Sequence, residues 1–346
     1  MQNPFSLTFG NSPYLEIDRT IVDFDIVEDF NKEYSSSRAY MITGVRGSGK
    51  TVYMTGICKK LKQDKDWIVI EVSPEDDIIK QIVHKLADES EFKKYVVSAK
   101  IDISILSVEI SKNTDVNKEP YSILLEKLLK LAAKKQRKVL VAIDEAIKNK
   151  YIKDFAHEFQ IYIRNELPVY LIMTGLYENI YEIQNEKTLT FLYRTPRIEM
   201  QPLKLYKIAD SYVDIFSISN DEAKQMAEMT KGYAFAYQVL GYFFFENKAA
   251  GISALENKYC NFLGEYVYEK IWSELSEKDR QVVIAMIDMD EKIKVKELRD
   301  KVEADSSKFS HYRDRLKRKG VVNISDYGYI SFSLPYFKEF IKKAYL

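Results

Sequence analysis

The chain has 346 residues, 46% apolar and 30% charged, with only 12 glycines and 8 prolines. This excludes global disorder and collagen-like or linker-rich architectures, and at about 150 residues per domain it suggests two or three domains. The 52 Lys and Arg balance 52 Asp and Glu, so no global field draws the chain to nucleic acid, and any such site must be a local patch.

The first ten residues, MQNPFSLTFG, lack a basic stretch followed by an apolar one, so no signal peptide is expected. Residues 38–44 (RAYMITG) read as a short buried strand, 49–63 as a helix and 67–73 as a second strand. Helical spacing returns over 76–89 and 120–136, followed by a third apolar strand at 138–144, a helix over 153–166 and a strand over 168–174. Strands alternating with helices predict a parallel sheet with crossovers, an α/β fold. The stretch 97–110 alternates apolar and polar residues, which predicts a half-buried strand or hairpin decorating the sheet.

Beyond Pro202 the pattern changes to helices alone: 204–216, 220–230, 234–247 and 255–273. The longest mostly apolar run, Gly232 to Phe245, spans 14 residues and contains Gln238, too short to cross a bilayer. A third pattern starts at 276. Helices over 277–288, 294–303 and 306–319 precede VVNIS, the turn Asp326-Tyr327-Gly328 and YISFS, the order of a winged helix-turn-helix. Two cysteines, Cys58 and Cys260, lie far apart, no CxxC occurs and there are three histidines. A zinc site is not expected, and the usage fits a reducing cytoplasm.

The strongest chemical signal is GVRGSGKT, Gly44 to Thr51. It fits G-x-x-x-x-G-K-[ST], follows an apolar strand and opens a helix, which is the context this phosphate-binding motif requires. Gly44, Gly47 and Gly49 let backbone N–H groups curl around an anion without a Cβ in the way. The helix N-terminus adds partial positive charge. Lys50 can reach the β- and γ-phosphates, and the Thr51 hydroxyl can ligate Mg²⁺. The nucleotide contacts expected are therefore Gly44, Val45, Arg46, Gly47, Ser48, Gly49, Lys50, Thr51 and Val52.

An acidic residue ending an apolar strand should complete such a site, and VLVAIDE provides it. Asp144 would hold Mg²⁺ and Glu145 would polarise the attacking water. Thr174 ends the next strand, where it could orient that water or touch the γ-phosphate; alternatively it caps the following helix. Arg194 and, less favoured, Arg197 lie in FLYRTPRIEMQPL. Either could act as an arginine finger, in cis or on a neighbouring subunit, or form a surface salt bridge.

These motifs, with NPFSLTFG near the start, VLVAIDEA, LIMTG, YRTPRIEMQPL and KGYAFAYQVLG, resemble the AAA+/STAND group of P-loop ATPases. More narrowly, they are similar to initiator-type (origin-recognition-like) and archaeal-type ATPases with a C-terminal winged helix. The resemblance implies a P-loop NTPase parallel sheet flanked by helices over 1–203, a helical lid over 204–273 and a winged helix over 274–346. It also implies ATP and Mg²⁺ as ligands and residues 4–20 packed near the adenine. In the lid, initiator-type relatives carry a sensor arginine, where this chain has only Lys231. STAND relatives carry Gly-x-Pro, where it has Gly232-Tyr233-Ala234.

The helix over 306–319 carries a net charge of +5, and residues 276–346 carry +4. Phe309, Tyr312 and Leu316 share one face and are expected in the core. Ser307, Lys308, His311, Arg315 and Arg318 then face outward. Lys308 and Arg315 could meet DNA phosphates, and Ser307 and His311 base edges. A protein partner or purely structural packing fits the same surface. Three functions follow: a Mg-ATP-hydrolysing ATPase coupled to duplex DNA, a slow nucleotide switch that binds a protein partner or its own kind, and a nucleotide-binding structural subunit. All three are read as cytoplasmic and without a membrane segment.

Overall fold

Apolar strands of five to seven residues build the sheet that organises the first half of the chain. The computed structural model describes residues 2–8, 17, 19, 25–90, 92–93, 120–248 and 251–346; the stretch 97–110 lies outside them. Two units are distinguished: Ile21–Thr43 with Tyr53–Ile198, and Met1–Thr20 with Gly44–Val52 and Glu199–Leu346.

In the sheet unit, α1 (Ile26–Asn31) leads into β1 (Ala39–Thr43), and α2 (Lys50–Lys62) is followed by β2 (Trp67–Val72) and α3 (Ile78–Asp88). Next come α4 (Tyr121–Lys134), β3 (Lys138–Ile143), α5 (Lys150–Arg164) and β4 (Val169–Gly175). The unit ends with α6 (Tyr177–Gln184), α7 (Thr190–Tyr193) and β5 (Arg197–Glu199). The strand order is β2-β3-β4-β1-β5, and β2, β3, β4 and β1 pair in parallel. The expected α/β sheet is thus present. β1 and β4 are buried at every position and β3 at all but its first, as helices on both faces of a parallel sheet require.

Side chains alternate across each strand. Met41, Val141 and Leu171 join Ile82, Leu86, Leu125, Leu128, Phe155 and Phe159 in one core. Tyr40 and Tyr170 instead meet Phe30, with ring centroids 5.4 and 4.9 Å away, and Trp67 packs edge-on to Tyr170. Beneath this aromatic group Asp29, 1% exposed, accepts the Tyr40 hydroxyl at 2.7 Å and the Ser36 N–H at 3.0 Å. Burial alone would raise its pKa, but these hydrogen bonds outweigh it and hold the carboxyl below its ordinary 3.8.

The second unit contains α8 (Leu205–Phe216), α9 (Asn220–Thr230), α10 (Ala234–Glu246) and α11 (Ile252–Leu263). A π-helical turn over Gly264–Tyr268 then leads into α12 (Glu269–Ser273). The sequence reads as one unbroken helix from 255 to 273. The turn occurs where Gly264 lies against Phe340, which leaves 2.8 Å for a Cβ, and where the Tyr268 hydroxyl reaches Pro335 O at 2.5 Å. α10 buries residues all round, Phe235, Tyr237, Leu240 and Phe244 among them, which makes it the central helix of this core. Phe5 packs on it, 5.5 Å from the Tyr237 ring. Among the described residues no helix is long and apolar enough to cross a membrane.

The chain ends with α13 (Glu277–Ile287), β6 (Ile293–Lys294), α14 (Val295–Lys301), α15 (Ser306–Arg318), β7 (Val322–Asn323), β8 (Tyr329–Phe332) and α16 (Phe337–Tyr345). The sheet has order β6-β8-β7 and is antiparallel, one strand more than the sequence pattern suggests. Buried residues from Ile208 to Ile341 belong to one hydrophobic cluster, which draws on both 204–273 and 274–346.

Phe309 and Leu316 of α15 are buried, as expected, and Tyr312 packs half-buried against the same core. Ser307, Lys308 and His311 are exposed. Arg315 departs from expectation. Its Nε donates to the Asp279 carboxylate at 2.8 and 3.0 Å, and its Nη2 donates at 2.6 Å. Asp279 is fully buried and also accepts the Ser276 hydroxyl at 2.7 Å. Arg315 therefore ties α15 to α13 instead of offering a free cation, because a buried carboxylate without its partner is costly.

Arg315→Ala should lower stability by about 2–3 kcal/mol, the buried-pair value reduced because the guanidinium is partly exposed. Lys308→Ala, at an exposed surface pair, should change it by under about 0.5 kcal/mol; urea titration of both variants checks the contrast. The stability contributed by Asp29 is present above its ordinary pKa and is lost as pH falls through its lowered folded value. Asp29→Asn should therefore flatten the acid limb of a stability–pH curve below about pH 4.

Candidate functional site

The phosphate-motif loop, Gly44–Val52, follows β1 in the chain and passes into α2. Gly47 and Gly49 take φ of 72° and 88°, the left-handed region that favours glycine. The Lys50 side chain is folded into the loop, 9% exposed, with its ammonium donating to Gly44 O at 3.1 Å and Val45 O at 2.9 Å. Ser48 N–H closes a turn on Val45 O at 3.2 Å, and the buried Ser48 hydroxyl has no hydrogen-bond partner among the described residues. Left-handed glycines, a buried ammonium and an unsatisfied hydroxyl are the features that fit an anionic phosphate. The first turn of α2 carries no acidic residue to oppose that charge.

Residues that sequence reasoning missed also hold the loop. The Tyr233 hydroxyl donates to Arg46 O at 2.7 Å, and the Phe235 N–H donates to Gly47 O at 3.1 Å. Arg19 donates to Gln201 O at 2.8 Å and to Ser48 O at 2.5 Å. Arg46 pairs with Glu274 at 3.4 Å. The only sequence signal for Tyr233 is its place in Gly232-Tyr233-Ala234, where Ala234 stands for the proline of Gly-x-Pro. The expected adenine contacts over 4–20 fall partly outside the described residues, and Phe5 is a core residue.

In the sheet unit, Asp144 and Glu145 leave the end of β3, and Thr174 lies near the end of β4, the neighbouring strand. The structure brings all three together. Thr174, fully buried, donates its hydroxyl to Asp144 Oδ1. The Glu145 N–H is shared between Asp144 Oδ1 at 3.0 Å and Thr174 Oγ1 at 3.3 Å. Ala146 N–H donates to Thr174 O at 2.7 Å. Glu145 itself sits at φ 51°, uncommon for a side-chain-bearing residue, and is exposed. Thr174 thus orients Asp144. It does not cap α6, which has no side-chain cap.

The two arginines separate. Arg194 is exposed and lines a cavity of about 680 Å³ with Ser37, Arg38 and Ala39, at the start of β1. In a parallel sheet that is the edge opposite the strand ends bearing Asp144 and Thr174. A finger acting in cis on that acidic end is not what this placement provides. Arg197 is engaged locally, over the Tyr177 ring at 4.9 Å and donating to Gln184 Oε1 at 3.3 Å. Burial pushes the thiols of Cys58 and Cys260 up to about 12, so neither is a nucleophile at neutral pH. Among the described residues no cluster of three or more His, Cys, Asp or Glu could hold a metal ion.

Residues 17–191, just over half of the chain, match the family described as "Type III restriction enzyme, res subunit". Residues 265–341 match a family described as "Domain of unknown function (DUF8462)". No curated protein matches. Among solved structures, the Aeropyrum pernix ORC2 protein in its ADPNP–ADP complexes is similar with a TM-score of 0.56 at 13% identity, covering 89% of this chain and 87% of that one. Cdc6p from Pyrobaculum aerophilum gives 0.45 at 15% identity, covering 88% and 86%. The first likeness shows a shared fold. GVRGSGKT, VLVAIDE and LIMTG all fall inside the matched residues 17–191. The chain shares its fold with the Aeropyrum pernix ORC2 protein and belongs to the family described as "Type III restriction enzyme, res subunit".

Proposed function

We propose that this chain binds Mg-ATP through Gly44–Val52 and hydrolyses it, and that nucleotide state positions a C-terminal winged helix (residues 274–346) on duplex DNA. The observation that carries the first part is the loop itself, with glycines at positive φ around the buried Lys50 ammonium. In this reading Lys50 moves its charge from the Gly44 and Val45 carbonyls to the β- and γ-phosphates, where an ammonium is worth more. Thr51 and Asp144 would hold Mg²⁺, which supplies positive charge against the same phosphates.

Glu145 acts on water. Its carboxylate is exposed, and its backbone is fixed by the bonds to Asp144 and Thr174, so it can accept a proton without reorganising. Thr174 serves by orienting Asp144. The Arg194 backbone N–H donates to Phe191 O at 3.1 Å, while its guanidinium is exposed and could act on a nucleotide held by a neighbouring copy. A family described by a restriction-enzyme subunit supports nucleic acid as partner, and Ser307, Lys308 and His311 are exposed for it on α15.

A second reading, a slow switch whose winged helix and lid bind a protein, is favoured by one observation. Arg315 is committed to Asp279, which removes a cation from an already modest patch.

Steady-state ATP hydrolysis with and without duplex DNA separates the two. DNA-stimulated, salt-sensitive turnover supports the first reading, and slow turnover indifferent to DNA supports the second. Lys50→Ala should abolish ATP binding, and normal affinity in that variant would sink the assignment of the loop. Glu145→Gln should keep ATP affinity while turnover drops about 100-fold or more; persistent turnover would move the water-polarising role to another residue.

A further inference from the structure

The five carbonyls from Gly44 to Ser48 all accept hydrogen bonds. Gly44 O and Val45 O take the Lys50 ammonium, Arg46 O takes the Tyr233 hydroxyl, Gly47 O takes the Phe235 N–H, and Ser48 O takes Arg19. In a trans peptide the C=O of one residue and the N–H of the next point in opposite directions. A donor that fixes a carbonyl therefore also aims the following amide. Holding Arg46 O turns the N–H of Gly47 away from Tyr233, while the next amide, Ser48 N–H, closes on Val45 O. The Gly47 N–H is one of the amides with which such a loop grips phosphate.

We propose that Tyr233 is a positioning residue for nucleotide binding, the lid side chain that pre-aims the Gly47 amide of the phosphate loop through Arg46 O. The inference rests on the loop being the ATP site. It reaches beyond that reading because the loop alone does not set its own amides here; residues near 233 complete it. Two further observations agree. A Cβ at Gly47 would collide with the Tyr233 hydroxyl and lie 2.9 Å from its Cζ, so ring and loop are in direct contact. Burial also drives the Tyr233 phenol well above its ordinary pKa, which keeps it a donor throughout the neutral range.

The test compares Tyr233→Phe, Tyr233→Ala and Lys50→Ala in the full chain, using a fluorescent ATP analogue, steady-state kinetics and thermal melting without nucleotide. Tyr233→Phe keeps the ring and loses one neutral hydrogen bond. It should weaken ADP and ATP binding about fivefold and raise KM with kcat unchanged, with melting as in wild type. Tyr233→Ala should lose more affinity and also melt lower, so that Phe rescues melting but not binding.

Wild-type affinity in Tyr233→Phe, with binding abolished in Lys50→Ala, overturns the role of Tyr233 and leaves the ATP site standing. A Tyr233→Phe variant that melts lower without nucleotide overturns it too, because the phenol is then structural. Normal binding in Lys50→Ala overturns the ATP site itself.

Discussion

The backbone of the phosphate loop has to be bent into shapes that L-residues avoid and then held there. Gly47 at φ 72° and Gly49 at φ 88° supply the bend, but glycine supplies no rigidity, since it is the residue with the most freedom to lose on ordering. The rigidity comes from elsewhere: a lysine folded back on the loop, a tyrosine and a backbone amide at residues 233–235, and an arginine at residue 19. An anion site made of backbone amides is only as good as the alignment of those amides. The helical second half of the chain thereby helps hold the loop in shape.

The acidic end of β3 solves a related problem by different means. Glu145 is held in a left-handed backbone conformation, which costs free energy for a residue with a side chain. Thr174 and Asp144 offset that cost by accepting its N–H. One hydroxyl on the adjacent strand thus serves both acids, which is possible because parallel pairing sets Thr174 one residue past the Ile143 partner, Met173.

Much of this was legible from residues alone. Motifs built on local geometry announce themselves: a glycine loop between an apolar strand and a helix, or acids directly after VLVAI. The strands of the sheet were legible because continuous apolar runs have few other uses. The rest depends on partners distant in sequence. Helix α5 begins at Lys150, three residues before its periodicity shows, because Asn149 caps the Ile152 N–H. Arg315 reads as a surface cation until Asp279, 36 positions earlier, is found buried beside it. Tyr233 reads only as the middle residue of a Gly-x-Pro position whose proline is Ala234 here, until its hydroxyl is traced to Arg46. Arg194 lies in a plausible segment, yet chain order does not reveal which edge of the sheet that segment meets.

Gly320, where α15 ends, adopts φ 69°, and any Cβ there would run into Val45 of the phosphate loop. Positions 45 and 320 therefore share one fixed volume. Glycine at 320 leaves that volume to the Val45 side chain, and its positive φ would strain any larger residue there whatever stood at position 45. The same shared volume makes the pair a natural place to engineer graded looseness between loop and C-terminal segment: Val45→Ala opens space without touching a single hydrogen bond described above.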